Sequence, residues 1–217
     1  MEYSKLLDLF VDKSPYAREE LKAPYTSGGY TIATNEKIYI AVEKSMGYPE
    51  QEKYNLLHIL EERTKSHIVT KEKIEAELKK IPLVDVMTEK EMVCPECNGE
   101  GEVLWSYFAN DGTEYEETHD CPVCEGSGKI YKEMPTSRKE HDPKELVKIS
   151  NAMYIADRLF LLHDIMEIVG VEDVTFLCCH KQKASVIRIN DKITMGFMPT
   201  IYENYRKKIT FTKLKLW

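Results

Sequence analysis

The eight-residue pattern Cys-Pro-x-Cys-x-Gly-x-Gly occurs twice in this 217-residue chain, from Cys94 to Gly101 and again from Cys121 to Gly128. No other feature restricts the fold so strongly. Two cysteines separated by two residues bring both thiolates within reach of one ion at about 2.3 Å, and the glycines behind them admit the positive-φ turn that aims backbone N–H groups at sulfur. Each repeat is thus a two-sulfur clamp, and a pair of clamps makes the four-sulfur tetrahedral set that suits zinc. Cys94, Cys97, Cys121 and Cys124 are the predicted ligands of one structural Zn2+, with Gly99, Gly101, Gly126 and Gly128 as the turn glycines. A disulfide pair or four unrelated thiols are the alternatives, and two matched repeats without a secretory context disfavour both.

These repeats resemble the C-x-x-C-x-G-x-G units of the cysteine-rich region in DnaJ-type co-chaperones, over about residues 92–132. The resemblance implies repeats that pair across hairpins, hold zinc and help present a surface to unfolded polypeptide. That family carries four repeats and two zinc sites, whereas two repeats here imply a single site. The His-Pro-Asp turn of a J-domain appears nowhere in the chain. What the resemblance transfers is the metal ligands.

Between the clamps, residues 102–108 and 113–119 are β-prone runs on either side of Asn110, Asp111 and Gly112, a spacing that predicts a β-hairpin. Such a hairpin returns the second cysteine pair beside the first. A module this small depends on its ion, since structural zinc in finger peptides contributes roughly 10–16 kcal/mol of apparent free energy. Trp105, Tyr107, Phe108 and Tyr115 are either a protein-binding surface or aromatic cover for a two-stranded ribbon.

Charge narrows what the module can touch. Residues 91–133 contain eleven Asp or Glu against Lys129 and Lys132, a balance of −9 in a chain whose net charge is −7. Four thiolates on Zn2+ add further negative charge, so this element repels phosphate, and gripping nucleic acid through it is excluded. Residues 181–217, in contrast, hold nine Lys or Arg against Asp191 and Glu203. Arg206, Lys207, Lys208, Lys213 and Lys215 there form either a weak phosphate-binding strip or an edge strand guarded by lysines.

The remainder reads as an α+β domain, with helices on one face of an antiparallel sheet and the zinc hairpin inserted between its halves. The discontinuous core is expected over 1–90 and 136–217, and the insert over 91–135. Helices are predicted over Tyr3–Val11, Pro49–Lys65, Lys71–Ile81 behind a Thr70 cap, and a long apolar-striped stretch that starts at Ser150 or Asn151 and stops at Gly170. Hairpin strands flank Asn35 and Glu36, Ile81–Met87 feeds the insert, Pro135–Pro143 leaves it as a polar linker, and three β-prone runs follow Gly170. The six histidines show no partner at ligand spacing. No run of about 18 apolar residues exists, and Met1–Asp8 lacks the basic start and apolar stretch of a leader, so a reducing, cytoplasmic setting without membrane contact is expected.

The second half is similar to a half-domain of bacterial sliding clamps. Asn151, Tyr154, Ile155 and Leu159 match the start of that family's helix, and Phe197, Met198 and Pro199 match its closing apolar-Met-Pro sequence. Residues 29–37 resemble the hairpin before its second helix. The resemblance implies the fold only, because the exposed side of the long helix offers Asp157, Arg158, Asp164 and Glu167 where clamp helices facing DNA carry Lys and Arg.

No phosphate loop, nucleophile elbow or H-E-x-x-H motif is present, and four cysteines close the metal shell against a catalytic water. Thiol–disulfide chemistry through the C-x-x-C pairs requires loss of the metal. The expectation is a non-enzymatic zinc protein that binds a protein partner as an accessory factor in nucleic-acid metabolism. The rival is a DnaJ-like polypeptide-binding module.

Overall fold

The computed structural model describes residues 3–44, 46–51, 66–179, 181–200 and 211–217. The helix expected over Pro49–Lys65 lies outside the described residues from 52 onward, as do Arg206, Lys207 and Lys208. The chain divides into two compact units, Met1–Pro82 with His141–Trp217, and Leu83–Glu140.

The first unit contains helix α1 (Tyr3–Asp8), strands β1 (Tyr25–Ser27), β2 (Tyr30–Thr34), β3 (Ile38–Val42) and β4 (His67–Thr70), and helix α2 (Lys71–Leu78). After the second unit it resumes with β9 (Leu146–Ile149), β10 (Ala152–Ile155), α3 (Asp157–Val169), β11 (Asp173–Cys178), β12 (Val186–Asn190), β13 (Ile193–Phe197) and β14 (Thr212–Leu214). Among the described residues, seven strands form one antiparallel sheet in the order β1-β2-β3-β13-β12-β11-β4.

Two of its hairpins share a turn. In Asn35-Glu36-Lys37-Ile38 the Asn35 Oδ1 accepts from the N–H groups of Lys37 and Ile38 at 3.1 and 3.0 Å. In Asn190-Asp191-Lys192-Ile193 the Asn190 Oδ1 accepts from Lys192 and Ile193, both at 2.9 Å. An Asn side chain that bonds the backbone two and three residues on closes a hairpin with little help from elsewhere. β3 and β13 then pair antiparallel about Ile40 and Met195. The meanders β1-β2-β3 and β11-β12-β13, each preceded by a helix, are therefore related by an approximate internal two-fold.

One face of this sheet carries the core. Ile38, Ile40, Val42, Ile193, Met195 and Phe197 alternate along the two central strands and pack in one cluster with Leu6 and Leu7 of α1, Ile74 of α2 and Leu159, Leu162 and Ile165 of α3. The described helices thus bury their apolar stripes on a single side of the sheet, as an amphipathic helix must. Opposite them, Tyr25, Ile32 and Ala41 form a smaller buried cluster. Thr70 caps α2 by accepting from the Lys73 N–H at 3.3 Å. Gly170 ends α3 at φ 74°, its N–H bonded to the Met166 carbonyl at 2.9 Å.

The long helix starts later than its apolar stripe predicts. Ala152–Ile155 is strand β10, paired with β9 around a two-residue turn in which Ser150 takes φ 53°. Ala152 and Tyr154 point inward while Met153 and Ile155 are half-buried, a period of two that merges with the helical period over so few residues. β14 joins this hairpin parallel to β9. None of the described helices is long and apolar enough to cross a membrane.

The second unit is built from two ribbons. β5 (Leu83–Val93) pairs with β8 (Lys129–His141), and β6 (Glu102–Phe108) pairs antiparallel with β7 (Glu114–Asp120). The unit is wider than the span 91–135 read from the motifs because β5 and β8 stay paired well outside the cysteines. The polar stretch expected as a linker over Pro135–Pro143 is strand as far as His141. Both faces of a two-stranded ribbon meet water, which removes the apolar alternation, and both strands are edges, which tolerate Pro135.

Candidate metal centre

Each ribbon ends on cysteine. β5 leads into Cys94, and the first knuckle runs through Cys97 into β6; β7 leads into Cys121, and the second knuckle runs through Cys124 into β8. After each second cysteine, Asn98 and Glu125 take φ 52° and 51°, followed by Gly99 and Gly126 at 91° and 82°. This left-handed path turns the chain back on its own sulfur, so the Gly101 N–H donates to Cys97 Sγ and the Gly128 N–H to Cys124 Sγ, both at 3.2 Å.

The two knuckles interlock reciprocally. The Cys94 N–H donates to the Gly128 carbonyl at 2.9 Å and the Cys121 N–H to the Gly101 carbonyl at 2.7 Å. A Cβ on Gly101 would collide with the Gly126 carbonyl oxygen, and one on Gly128 with that of Gly99. Glycine is required at both places by close approach as well as by φ.

All four cysteines are buried and free, packed with Val103 and Ile130. Cys94 Sγ lies 3.8 Å from Cys121 Sγ and Cys97 Sγ lies 3.7 Å from Cys124 Sγ, with all four sulfurs within 4.8 Å of one another. Four metal–sulfur bonds of about 2.3 Å in tetrahedral arrangement require sulfur separations near 3.8 Å, whereas a disulfide needs about 2.05 Å. The spacing fits an ion. Burial resists ionisation at Cys97, yet the N–H groups of Gly101 and Gly99 and the neighbouring thiols of Cys124 and Cys94 hold it down to about 7. Burial pushes Cys124 up to about 11 against the Gly128 N–H, and the thiols of Cys121, Cys97 and Cys94 add to the rise. One thiolate forms readily and further ones are resisted until a cation compensates them.

The aromatic residues singled out in the sequence sit on β6 and β7, all exposed. The ribbon separates them: Trp105, Tyr107 and Tyr115 share one face, and Phe108 lies on the other with Leu104. Lys213 and Lys215 are exposed on and just beyond β14, alternating with buried Leu214 and Leu216, and Lys213 is the register partner of Lys148.

A cluster that sequence spacing passed over joins α2 and α3. His163 Nε2 lies 3.1 Å from Glu75 Oε1, and Glu167 is close enough for the three to surround an ion. The i, i+4 spacing of His163 and Glu167 was the available signal; Glu75, 88 residues away, gave none. Glu167 is already ion-paired with Lys71, so the cluster works as a helix–helix polar network.

No protein-family model and no curated protein matches the chain. Solved structures similar to it include DNA polymerase III subunit beta from Pseudomonas aeruginosa, at 11% identity and a TM-score of 0.43, with 93% of this chain and 66% of that one covered. Pol III beta of Caulobacter crescentus is similar at 8% identity and a TM-score of 0.48, over 93% of this chain and 64% of that one. The DNA polymerase sliding clamp of Bacillus subtilis is similar at 8% identity and a TM-score of 0.33, over 80% and 41%. The chain spans less than two thirds of the length of each.

Proposed function

We propose that the chain is a non-enzymatic accessory factor of nucleic-acid metabolism that binds a protein partner through its zinc-held ribbon. The carrying observation is the set of four buried sulfurs at tetrahedral spacing beneath a ribbon whose aromatic side chains are exposed. Zinc, when bound by Cys94, Cys97, Cys121 and Cys124, supplies a closed cross-link between two strand pairs and leaves no position for a catalytic water. The exposed Lys213 and Lys215, on and just beyond β14, support a phosphate contact by the first unit.

The test has two readouts. Elemental analysis of freshly reduced protein should return one zinc per chain, and iron or no metal would overturn the assignment. Replacing residues 102–120 by a short turn should abolish cross-linking to specific partner proteins while zinc is retained; unchanged partners would reduce the ribbon to a stabilising appendage. A second reading, a DnaJ-like polypeptide-binding module, draws on the exposure of Leu104 and Phe108, at 62% and 68%. It requires that the protein suppress aggregation of an unfolded client and that Leu104→Ser with Phe108→Ser remove this.

A further inference from the structure

The two faces of the β6–β7 ribbon differ in chemistry. On one, the Tyr107 and Tyr115 rings stack at 5.2 Å and Trp105 leans on His119 at 5.1 Å. Together with Glu117, on the same face, they line an open groove of about 570 Å³. Trp105 is 56%, Tyr107 63% and Tyr115 49% exposed, so the rings are open to a ligand from solvent. Glu117 is the register partner of Trp105, and its carboxylate, 3.3 Å from His119 Nε2, lies on the same face as the rings. From 102 to 120 the chain holds six carboxylates and no Lys or Arg.

We infer that this face docks an arginine-bearing segment of the partner polypeptide. The inference rests on the protein-binding reading above and names the chemistry of its ligand. A planar guanidinium stacks on Trp105 or Tyr107 while its N–H fork donates to Glu117, and the surrounding carboxylates add long-range attraction. An apolar segment would cover Glu117 without giving it a donor, at a desolvation cost. A phosphate-bearing chain meets the repulsion of the whole acidic module. An ammonium satisfies the charge but not the stacked, forked geometry.

The experiment uses the whole 217-residue chain with its metal and follows fluorescence anisotropy of three labelled peptides of equal length. One carries Gly/Ser-spaced arginines, one carries citrulline at the same positions, and one carries leucines. The arginine peptide should bind at least about tenfold more tightly than the citrulline peptide and weaken with salt. Trp105→Ala and Glu117→Gln should each weaken it about tenfold at unchanged metal content, whereas Asp111→Asn, at the ribbon tip, should change it less than about twofold. Equal binding of arginine and citrulline peptides, or an equal loss in Asp111→Asn and Glu117→Gln, would overturn the inference. Binding of the leucine peptide alone would overturn it and leave the ribbon a protein-binding element. Binding of none of the three overturns it too; a loop-replacement variant that keeps its cross-linked partners is the separate result that removes the underlying reading.

Discussion

At the level of single residues, the glycines of the second unit are required for different reasons. Gly101 and Gly128 face a carbonyl of the opposite knuckle with no room for a methyl group, while Gly112 in the hairpin turn has open space around it and only its φ of 84° to satisfy. Gly101→Ala and Gly128→Ala should each lower zinc affinity by an order of magnitude or more in chelator competition, because the reciprocal Cys94 and Cys121 backbone bonds must open. Gly112→Ala should leave zinc affinity unchanged and cost about 1 kcal/mol of ribbon stability. Glu77 gives a prediction of another kind. It is 3% exposed, and burial alone would raise its carboxyl, but the Lys80 ammonium at 2.6 Å, the Lys215 N–H at 2.9 Å and the charge of Lys73 hold it below its ordinary value. A carboxyl lower in the folded than in the unfolded chain contributes stability above the unfolded value of about 4.3, and that contribution disappears as pH falls through the folded value. Glu77→Gln should cost about 1–3 kcal/mol at neutral pH and flatten this acid dependence, read by urea unfolding at about pH 7 and pH 3. The four-cysteine cluster was legible because C-P-x-C and its glycines are contiguous. The Glu77–Lys215 bond joins residues 138 apart, and nothing local announces it.

Among elements, those with their own start and stop signals agree with the sequence reading. β6 covers the predicted 102–108, β11 is the first of the three β-prone runs expected after Gly170, and α2 begins behind its Thr70 cap. Thr70→Ala should destabilise the first unit by about 1 kcal/mol in thermal or denaturant unfolding. Leu162, fully buried in α3, should lose about 2–5 kcal/mol on truncation to Ala. Where the reading and the structure part, at β10 and β8, tertiary pairing overrides local pattern. β10 is a strand because β9 offers it four register partners from Ala152 to Ile155. β8 extends through a Pro-containing polar run because β5 lies alongside.

For the whole molecule, the two units rest on different physics. The first has a large apolar cluster on one side of a seven-stranded sheet. The second has the four cysteines with Val103 and Ile130 and little else, so an ion held by the four sulfurs would stand in for a hydrophobic core. Chelation should therefore release the second unit selectively. Hydrogen exchange in 83–140 should rise by several orders of magnitude while β3, β13 and α3 keep their protection. Uniform loss of protection throughout the chain would show that the first unit also depends on the metal.

The amino-acid sequence alone determined the two cysteine knuckles, the hairpin between them, the acidic character of that hairpin and the α+β alternation, because each is set by residues close together in the chain. Tertiary structure alone decided which aromatic side chains share a face, how the knuckles interlock, where the long helix begins, and that the two meanders meet at β3 and β13 across an internal two-fold. Those depend on strand register and on contacts between distant segments, and the turn repeat Asn35-Glu36-Lys37 with Asn190-Asp191-Lys192 gains its meaning only once β3 and β13 lie side by side.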